Sequence, residues 1–479
     1  MERDAGCRAF LDYYHDVGIG WTFYLEDQMI TALKNKRVLV LGLGNTGLSA
    51  LHWLLAQGAD VSVADTRKNP PNLALVKAEM AEISIHLGDL DVALLKAAEL
   101  LVVSPGLDLS APTIQAAMDA GVQVVGDVEL FAQYRPSAAK VIAITGANGK
   151  STVTTLVGEM CKAAGLKTIV AGNIGLPVLD ALGMEVPDVY VLELSSFQLE
   201  TTLSLKVDAA TVLNLTEDHL DRYADLTEYA AAKARIFYHA KCQVLNRDDA
   251  WSMVMERPRL SLCTFGLDYD KKEFGIEEVD HELWLCEGRR RLINVAALHI
   301  KGAHNAANAL AALALCRAIG LEYSPLLNAL YNFKGLPHRV QWVAKINDVD
   351  YYDDSKGTNV GAACAALSGF SQKAVLIAGG DGKGQAFAPL YEPVKNNARA
   401  VILIGRDAPI IEAALLGTDV PMYHAHDMQE AVAIARRVAQ PGDVVLLSPA
   451  CASFDMYKNY ISRAEAFVEA VMQQEEAIC

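Results

Sequence analysis

Several things are scarce or missing in this chain. No uncharged apolar run comes near the ~18 residues that span a bilayer, so membrane insertion is not expected. Basic residues are outnumbered, 42 Lys and Arg against 58 Asp and Glu, for a net charge of −16. Nucleic acid and anionic membranes need a basic face, so neither is expected as a partner, and any nucleotide site must be positive locally. Nine cysteines occur without one C-x-x-C pair. That argues against a disulfide framework or a zinc site and suits reduced thiols in a cytoplasmic protein. Residues 1–30 lack a basic segment followed by a continuous apolar stretch, so they do not read as a signal peptide. Acidic and aromatic, they read as an add-on whose removal leaves activity intact.

What remains is globular, 52% hydrophobic and 21% charged, and 479 residues suffice for about three domains of roughly 150 residues each. The expected fold is α/β: a Rossmann-like domain over 31–128, a P-loop-type ATPase domain over 129–335 and a second Rossmann-like α/β domain over 336–479. A monomer is expected.

The chain is organised around Lys140 to Gly165. Val141, Ile142, Ala143 and Ile144 fit a buried parallel strand; Val153, Leu156, Val157 and Met160 recur at helical spacing, with Gly165 as the C-terminal stop. Between them lies Gly146-Ala147-Asn148-Gly149-Lys150-Ser151-Thr152. Successive backbone N–H groups at a helix N-terminus make an anion cradle, Lys150 can neutralise β/γ-phosphate charge, and the Ser151 hydroxyl can ligate Mg²⁺. The pattern G-x-x-x-x-G-K-[ST] asks for a further glycine where Ile144 stands, so a plain βα turn with an exposed lysine is the alternative.

Upstream, a strand from Arg37 runs into G-x-G-x-x-G (Gly42, Gly44, Gly47), and Asp65 ends the next strand. This suits a dinucleotide or another phosphate ligand; an NAD-dependent oxidoreductase is one reading, and Asp65 as a mere turn cap another. Later strands end at Ser104-Pro105-Gly106, Gly172-Asn173, Glu193 and Asp218-His219, and ligands of parallel sheets collect at such ends. Glu193 and His219 can therefore face the P-loop and hold metal, although a lone histidine is as often structural. On composition, Lys233 reads as an ordinary solvated helix lysine. Asn305 and Asn308, one helical turn apart, can reach one ligand, or Asn305 only caps. Arg339, Lys356 and Lys383 are cations suited to phosphate or carboxylate.

Eight blocks in order, TGANGKST (Thr145 to Thr152), GNIG (Gly172 to Gly175), ELSSFQLE (Glu193 to Glu200), NLTEDHLDRY (Asn214 to Tyr223), GAHNAANALAA (Gly302 to Ala312), LPHR (Leu336 to Arg339), DDSKGTN (Asp353 to Asn359) and GGDGKG (Gly379 to Gly384), together resemble the Mur ligases. These are the ATP-dependent amide ligases of peptidoglycan precursor synthesis, and the resemblance runs from about Lys36 to the C-terminus. ELSSFQLE, DSKGTN and LSPACASFD (Leu447 to Asp455) look like the branch that adds D-glutamate.

The resemblance implies that UDP-N-acetylmuramoyl-L-alanine sits in the first domain, at Gly44, Asn45, Thr46, Asp65, Thr66, Arg67, Ser104 and Gly106, with Asn173 near its reacting end. ATP would be held by Gly146, Asn148, Gly149, Lys150, Ser151 and Thr152, with Asn305, Asn308, Arg339 and Asp354 across the domain junction. Ser151, Glu193, His219 and Lys233, the last carrying a CO₂-derived carbamate, would hold two Mg²⁺; Lys150, Glu193, His219 and Lys233 would be the catalytic set. D-Glutamate would meet Lys356, Thr358, Lys383, Ser453, Phe454 and Tyr460. Phe454 and Tyr460 stand where leucine and phenylalanine are expected, and Gly357 where alanine is. Ligases adding a different amino acid, including the folylpolyglutamate type, are the rival within the class.

Overall fold

Runs such as Val38 to Leu41, Val141 to Ile144 and Val444 to Leu447 are apolar on both faces, the pattern of strands covered by helices above and below. In a computed structural model, whose described residues are 32–219 and 222–476, they become the centres of three sheets. The add-on expected over 1–30 lies outside the described residues.

The first sheet contains β1 (Arg37–Leu41), β2 (Asp60–Asp65), β3 (Ile85–Leu87), β4 (Leu100–Val103) and β5 (Gln123–Val125), in the order β3-β2-β1-β4-β5 and all parallel. The second contains β6 (Lys140–Thr145), β7 (Thr168–Gly172), β8 (Val189–Glu193), β9 (Lys206–Val212), β10 (His239–Asn246), β11 (Ser261–Phe265), β12 (Phe274–Val279), β13 (Glu282–Glu287) and β14 (Arg290–Asn294). Its order is β14-β13-β12-β11-β10-β9-β6-β8-β7. It is parallel from β7 to β12 and closes with two antiparallel pairs, the β13–β14 hairpin turning at Gly288. The third contains β15 (Gln341–Ile346), β16 (Val349–Asp353), β17 (Ala374–Gly379), β18 (Ala398–Ile404), β19 (Met422–His424) and β20 (Val444–Leu447), in the order β15-β16-β20-β17-β18-β19. Only β15 runs antiparallel there. Three doubly wound layers thus present their strand C-termini as ligand loops, the α/β architecture expected.

The helix Lys150–Ala163 starts at Gly149 and stops before Gly165, both with left-handed φ (+83° and +84°), a conformation glycine adopts without steric cost. The alanine-rich helix Ala303–Ala318 packs on it, its small side chains allowing close approach. One hydrophobic cluster runs unbroken from Val38, Val40 and Leu51 of the first unit through Leu130 and Phe131 to Val141 and Leu192 of the second. The third unit has clusters of its own. Among the described residues, no helix is long and apolar enough to cross a membrane.

The helix Asp127–Tyr134 spans the boundary expected after residue 128 and packs on helices of the second unit. Its first residue is fully buried. Asp127 Oδ2 accepts a bond from Gln198 Nε2 at 3.4 Å, while Oδ1 has no partner. Burial therefore pushes its carboxyl up to about 6. An unfolded chain ionises this group near pH ~3.9, so between about pH 4 and pH 6 the folded state holds the extra proton and stability falls as pH rises. Asp127→Asn removes this effect. In denaturant titrations the variant should gain about 3 kcal/mol relative to the unsubstituted protein between about pH 4 and pH 7.

Candidate active site

Loops from all three sheets face one another across three connected cavities. The first, of about 640 Å³, is lined by Gly44, Asn45, Thr46, Asp65, Thr66, Arg67, Ser104, Gly106 and Asn173, every residue expected there. Its floor depends on glycine: a Cβ on Gly47 would fall 1.8 Å from the Gly42 carbonyl, whereas one on Gly44 would meet nothing within 4 Å. Gly44 thus leaves its backbone open to a phosphate. Asp65 is a turn cap as well as a wall. Its Oδ2 accepts the Leu43 N–H at 2.7 Å, and its Oδ1 accepts the Arg67 N–H at 2.8 Å and Nε at 2.9 Å. Burial opposes its charge, but the bonds from Arg67 and Leu43 outweigh burial and hold the carboxyl below its ordinary value.

The second cavity, of about 720 Å³, joins the P-loop to the third unit. Lys150, Ser151, Asn173, Glu193, His219, Lys233, Lys356, Thr358, Lys383 and Tyr460 line it. Lys150 Nζ folds back to the carbonyls of Gly146 (2.8 Å) and Ala147 (2.9 Å). Lys233 is not solvated. Only 1% exposed, it donates to the Gly146 carbonyl at 2.9 Å and to Thr145 Oγ1 at 3.3 Å, above the Tyr229 ring at 4.6 Å. Burial drives its pKa far below the ordinary lysine value, and repulsion from Lys150 adds to this. Glu193 Oε1 accepts from Asn173 Nδ2 at 2.8 Å, and its Oε2 is buried without a partner. His219, at φ +58°, sets its ring edge-on to Phe197 at 4.9 Å; burial lowers its pKa against the pull of Asp218, favouring neutral imidazole.

Several bonds link the third unit to this cavity, among them three of 3.0 Å or less. Arg339 Nη2 donates to Ser151 Oγ at 2.8 Å, Lys383 Nζ to Asp218 Oδ1 at 3.0 Å, and Asn359 Nδ2 to Asn148 Oδ1 at 3.0 Å. Lys356 Nζ lies 3.9 Å over the Tyr460 ring, and burial, with Arg339 nearby, brings its pKa down to about 8.

The third cavity has an apolar wall of Leu213, Phe265, Ile300 and Leu336 and a polar one of Asn148, Gly149, Thr152, Asn305, Asn308, Arg339 and Asp354. That suits a flat base and its ribose. Asn305 donates to the Lys301 carbonyl at 2.8 Å and accepts from Asn308 at 3.2 Å, so it joins the wall rather than capping the helix. Asp354 accepts the Val340 N–H at 3.2 Å and the Ser448 O–H at 2.7 Å, and burial pushes its carboxyl up to about 7. Gly146 lines none of the three cavities and serves through its carbonyl. Ile144, where the P-loop pattern asks for glycine, is a fully buried strand residue, and the cradle begins at Gly146.

Two expected contacts are not brought together. Ser453 is buried outside the cavity and Phe454 is 74% exposed. Ala452 pairs in antiparallel fashion with Asp381, and the Ser453 carbonyl then closes a turn onto Met456 and Tyr457, which swings Phe454 outward. Conversely, Asp218, Tyr229 and Asn359 stand in the site without having been assigned a role. Two signals were available: Asp218 precedes His219 at a strand end, and Tyr229 lies four residues before Lys233 on one helix face.

Comparison with known proteins agrees with this layout. The Mur ligase MurD-like N-terminal domain matches residues 36–126, the Mur ligase middle domain 144–316, and the Mur ligase glutamate ligase domain 338–451. The UDP-N-acetylmuramoylalanine–D-glutamate ligase of Methylobacillus flagellatus is 62% identical over 92% of this chain and 97% of its own length. The chain belongs to the Mur ligase family. The protein of the same name from Nitrosomonas eutropha is 53% identical over 91% of this chain and 96% of its own. Among solved Mur ligase structures, that of the UDP-N-acetylmuramate–alanine ligase MurC of Thermotoga maritima covers 91% of this chain and 99% of its own, with a TM-score of 0.58 at 20% identity, a likeness of fold.

Two glycines distinguish the P-loop cradle from the floor of the first cavity. Gly149→Ala puts a Cβ 2.4 Å from Asn308 Oδ1 at a left-handed φ, and should weaken ATP binding by at least about tenfold and lower stability by about 1–3 kcal/mol, read by calorimetry and thermal melting. Gly44→Ala meets no atom of the protein, and should leave stability within about 0.5 kcal/mol while abolishing binding in the first cavity.

Proposed function

We infer that the chain is an ATP-dependent ligase that joins D-glutamate to UDP-N-acetylmuramoyl-L-alanine in cytoplasmic peptidoglycan precursor synthesis. The observation that carries this reading is the second cavity. Lys150, a lysine suited to phosphate, shares this cavity with Asn173, which also lines the first cavity, and with Lys356 and Lys383, cations that suit an acidic amino acid.

The alanyl carboxylate, reaching past Asn173, attacks the γ-phosphorus; an O–P bond forms as the bond to ADP breaks. The amine of D-glutamate then attacks the acyl-phosphate carbonyl, a C–N bond forms and phosphate leaves. Lys150 exchanges its carbonyl partners for phosphate oxygens. Lys356, Thr358 and Lys383 hold the incoming carboxylates. Arg339 and Asp354 fix the nucleotide, and the third unit keeps water from the acyl phosphate.

The donor set fits divalent cations. Glu193 Oε2 is a buried, unpartnered oxygen, and the Ser151 hydroxyl stands at a helix N-terminus. Ser151, Glu193, His219 and Lys233 would hold two Mg²⁺, which when bound neutralise phosphate charge. Lys233 serves as a carbamate: its neutral amine attacks CO₂, an N–C bond forms and one proton leaves, converting a buried amine into an oxygen ligand. Burial, which keeps the amine neutral, favours that step.

Phosphate release should require UDP-N-acetylmuramoyl-L-alanine and D-glutamate together; release with another amino acid in its place would refute the assignment. Lys233→Ala should abolish turnover, with partial rescue by a short carboxylate and loss of the carbamate ¹³C signal from labelled bicarbonate. Because Lys356 carries its proton only below about 8, KM for D-glutamate should climb as pH rises through that value, while Lys356→Arg flattens the profile.

A further inference from the structure

Arg222 lines none of the three cavities and enters no step of the reaction. Its side chain is nevertheless only 13% exposed, and its contacts join two separate parts of the site. It lies three residues beyond His219, whose carbonyl accepts the Arg222 N–H at 2.9 Å. Its guanidinium crosses to the first unit, where Nη2 donates to the Leu107 carbonyl at 2.8 Å and Nε lies 3.6 Å from Asp108 Oδ1. On its own side Nη2 also donates to Glu200 Oε2 at 3.1 Å, and the guanidinium sits 5.0 Å over the Phe197 ring.

Both ends of this bridge carry ligand walls. Leu107 continues the Ser104-Pro105-Gly106 lip of the first cavity. Phe197 lines the second, takes the His219 ring edge-on at 4.9 Å and stacks on Tyr223 at 5.8 Å; the Tyr223 hydroxyl donates to the other Glu200 oxygen at 2.5 Å. A planar, multiply bonded guanidinium holds geometry in a way one flexible ammonium cannot.

We propose that Arg222 is a positioning residue that couples occupancy of the first cavity to the placement of the Asp218–His219 loop. A ligand seated on the Ser104 to Leu107 lip fixes the Leu107 carbonyl and Asp108. These fix the guanidinium, which pins Phe197 and, through it, the His219 ring. The coupling is reciprocal, because a ligand that orders the second cavity must tighten binding in the first by the same factor. This inference rests on the sugar-nucleotide reading of the first cavity.

The test is calorimetric titration of the full chain with UDP-N-acetylmuramoyl-L-alanine, with and without a non-hydrolysable ATP analogue and Mg²⁺. For the unsubstituted protein the analogue should tighten the sugar nucleotide by about fivefold or more. Arg222→Met should reduce that factor to within about twofold of unity, Arg222→Lys should recover part of it, and Asp108→Ala, on the exposed side of the bridge, should lower it less. In turnover, Arg222→Met should raise KM for the sugar nucleotide more than KM for ATP. The double variant with Asp108→Ala should be no worse than Arg222→Met alone. A coupling factor in Arg222→Met equal to that of the unsubstituted protein, or additive losses in the double variant, would overturn the inference alone. Absence of sugar-nucleotide binding to the unsubstituted protein would overturn the functional reading and this inference with it. If Arg222→Met does not fold, Asp108→Ala decides, since unchanged coupling there would equally overturn the proposal.

Discussion

The Gly146 carbonyl accepts bonds from two amines, that of the half-buried Lys150 at 2.8 Å and that of the buried Lys233 at 2.9 Å. Two ammonium ions converging on one oxygen repel, and the pair is relieved when the deeper one gives up its proton. Much of the surrounding structure accommodates that arrangement. Gly146 can turn its carbonyl inward because it adopts φ +150° without a side chain. Thr145 supplies a second acceptor, Tyr229 lends its ring face, and Glu193 leaves one oxygen unspent. A site so arranged is short of negative charge in one place and of positive charge in another, and a metal–triphosphate complex would correct both.

Ligand-facing groups are also already paired. Ser151 holds Arg339, Asp218 holds Lys383, and Lys150 holds its own loop. Binding in such a site trades one set of partners for another. The net gain per contact is then of the order of 1 kcal/mol, not the full strength of a bare charge pair. Selectivity must come from how many trades a ligand makes at once. A molecule reaching only one cavity makes few, whereas substrates spanning all three make most of them.

Much of this was legible before any coordinates. Strand ends in parallel sheets, a glycine-rich turn before a helix and an acidic residue at the next strand end are local signals, and all nine residues expected around the first cavity line it. Lys233 was not legible from composition: in Tyr229-Ala-Ala-Ala-Lys-Ala every face of the helix is small, so periodicity cannot tell the buried side from the wet one. The Lys383–Asp218 pair joins residues 165 apart, beyond the reach of any local pattern. Ser453 and Phe454 sit beside the right strand, but the pairing of Ala452 with Asp381 sets their direction, and that pairing has no signature in sequence. The unforeseen strands β3 and β19 have three residues each and lie at sheet edges, too short to show alternation.

The continuous core that unites the first two units stops at the third, which is joined through Gly335 to Val340, a stretch with left-handed φ at Gly335, His338 and Val340. In evolutionary terms the molecule is a fixed workbench with an exchangeable head. The bench carries the first cavity and the P-loop strand on one continuous core. The head carries Lys356, Thr358 and Lys383 on a core of its own, so under the proposed function substitutions around them can alter which amino acid is accepted while leaving the core of the bench intact, provided the Arg339–Ser151 and Lys383–Asp218 bonds to it are kept.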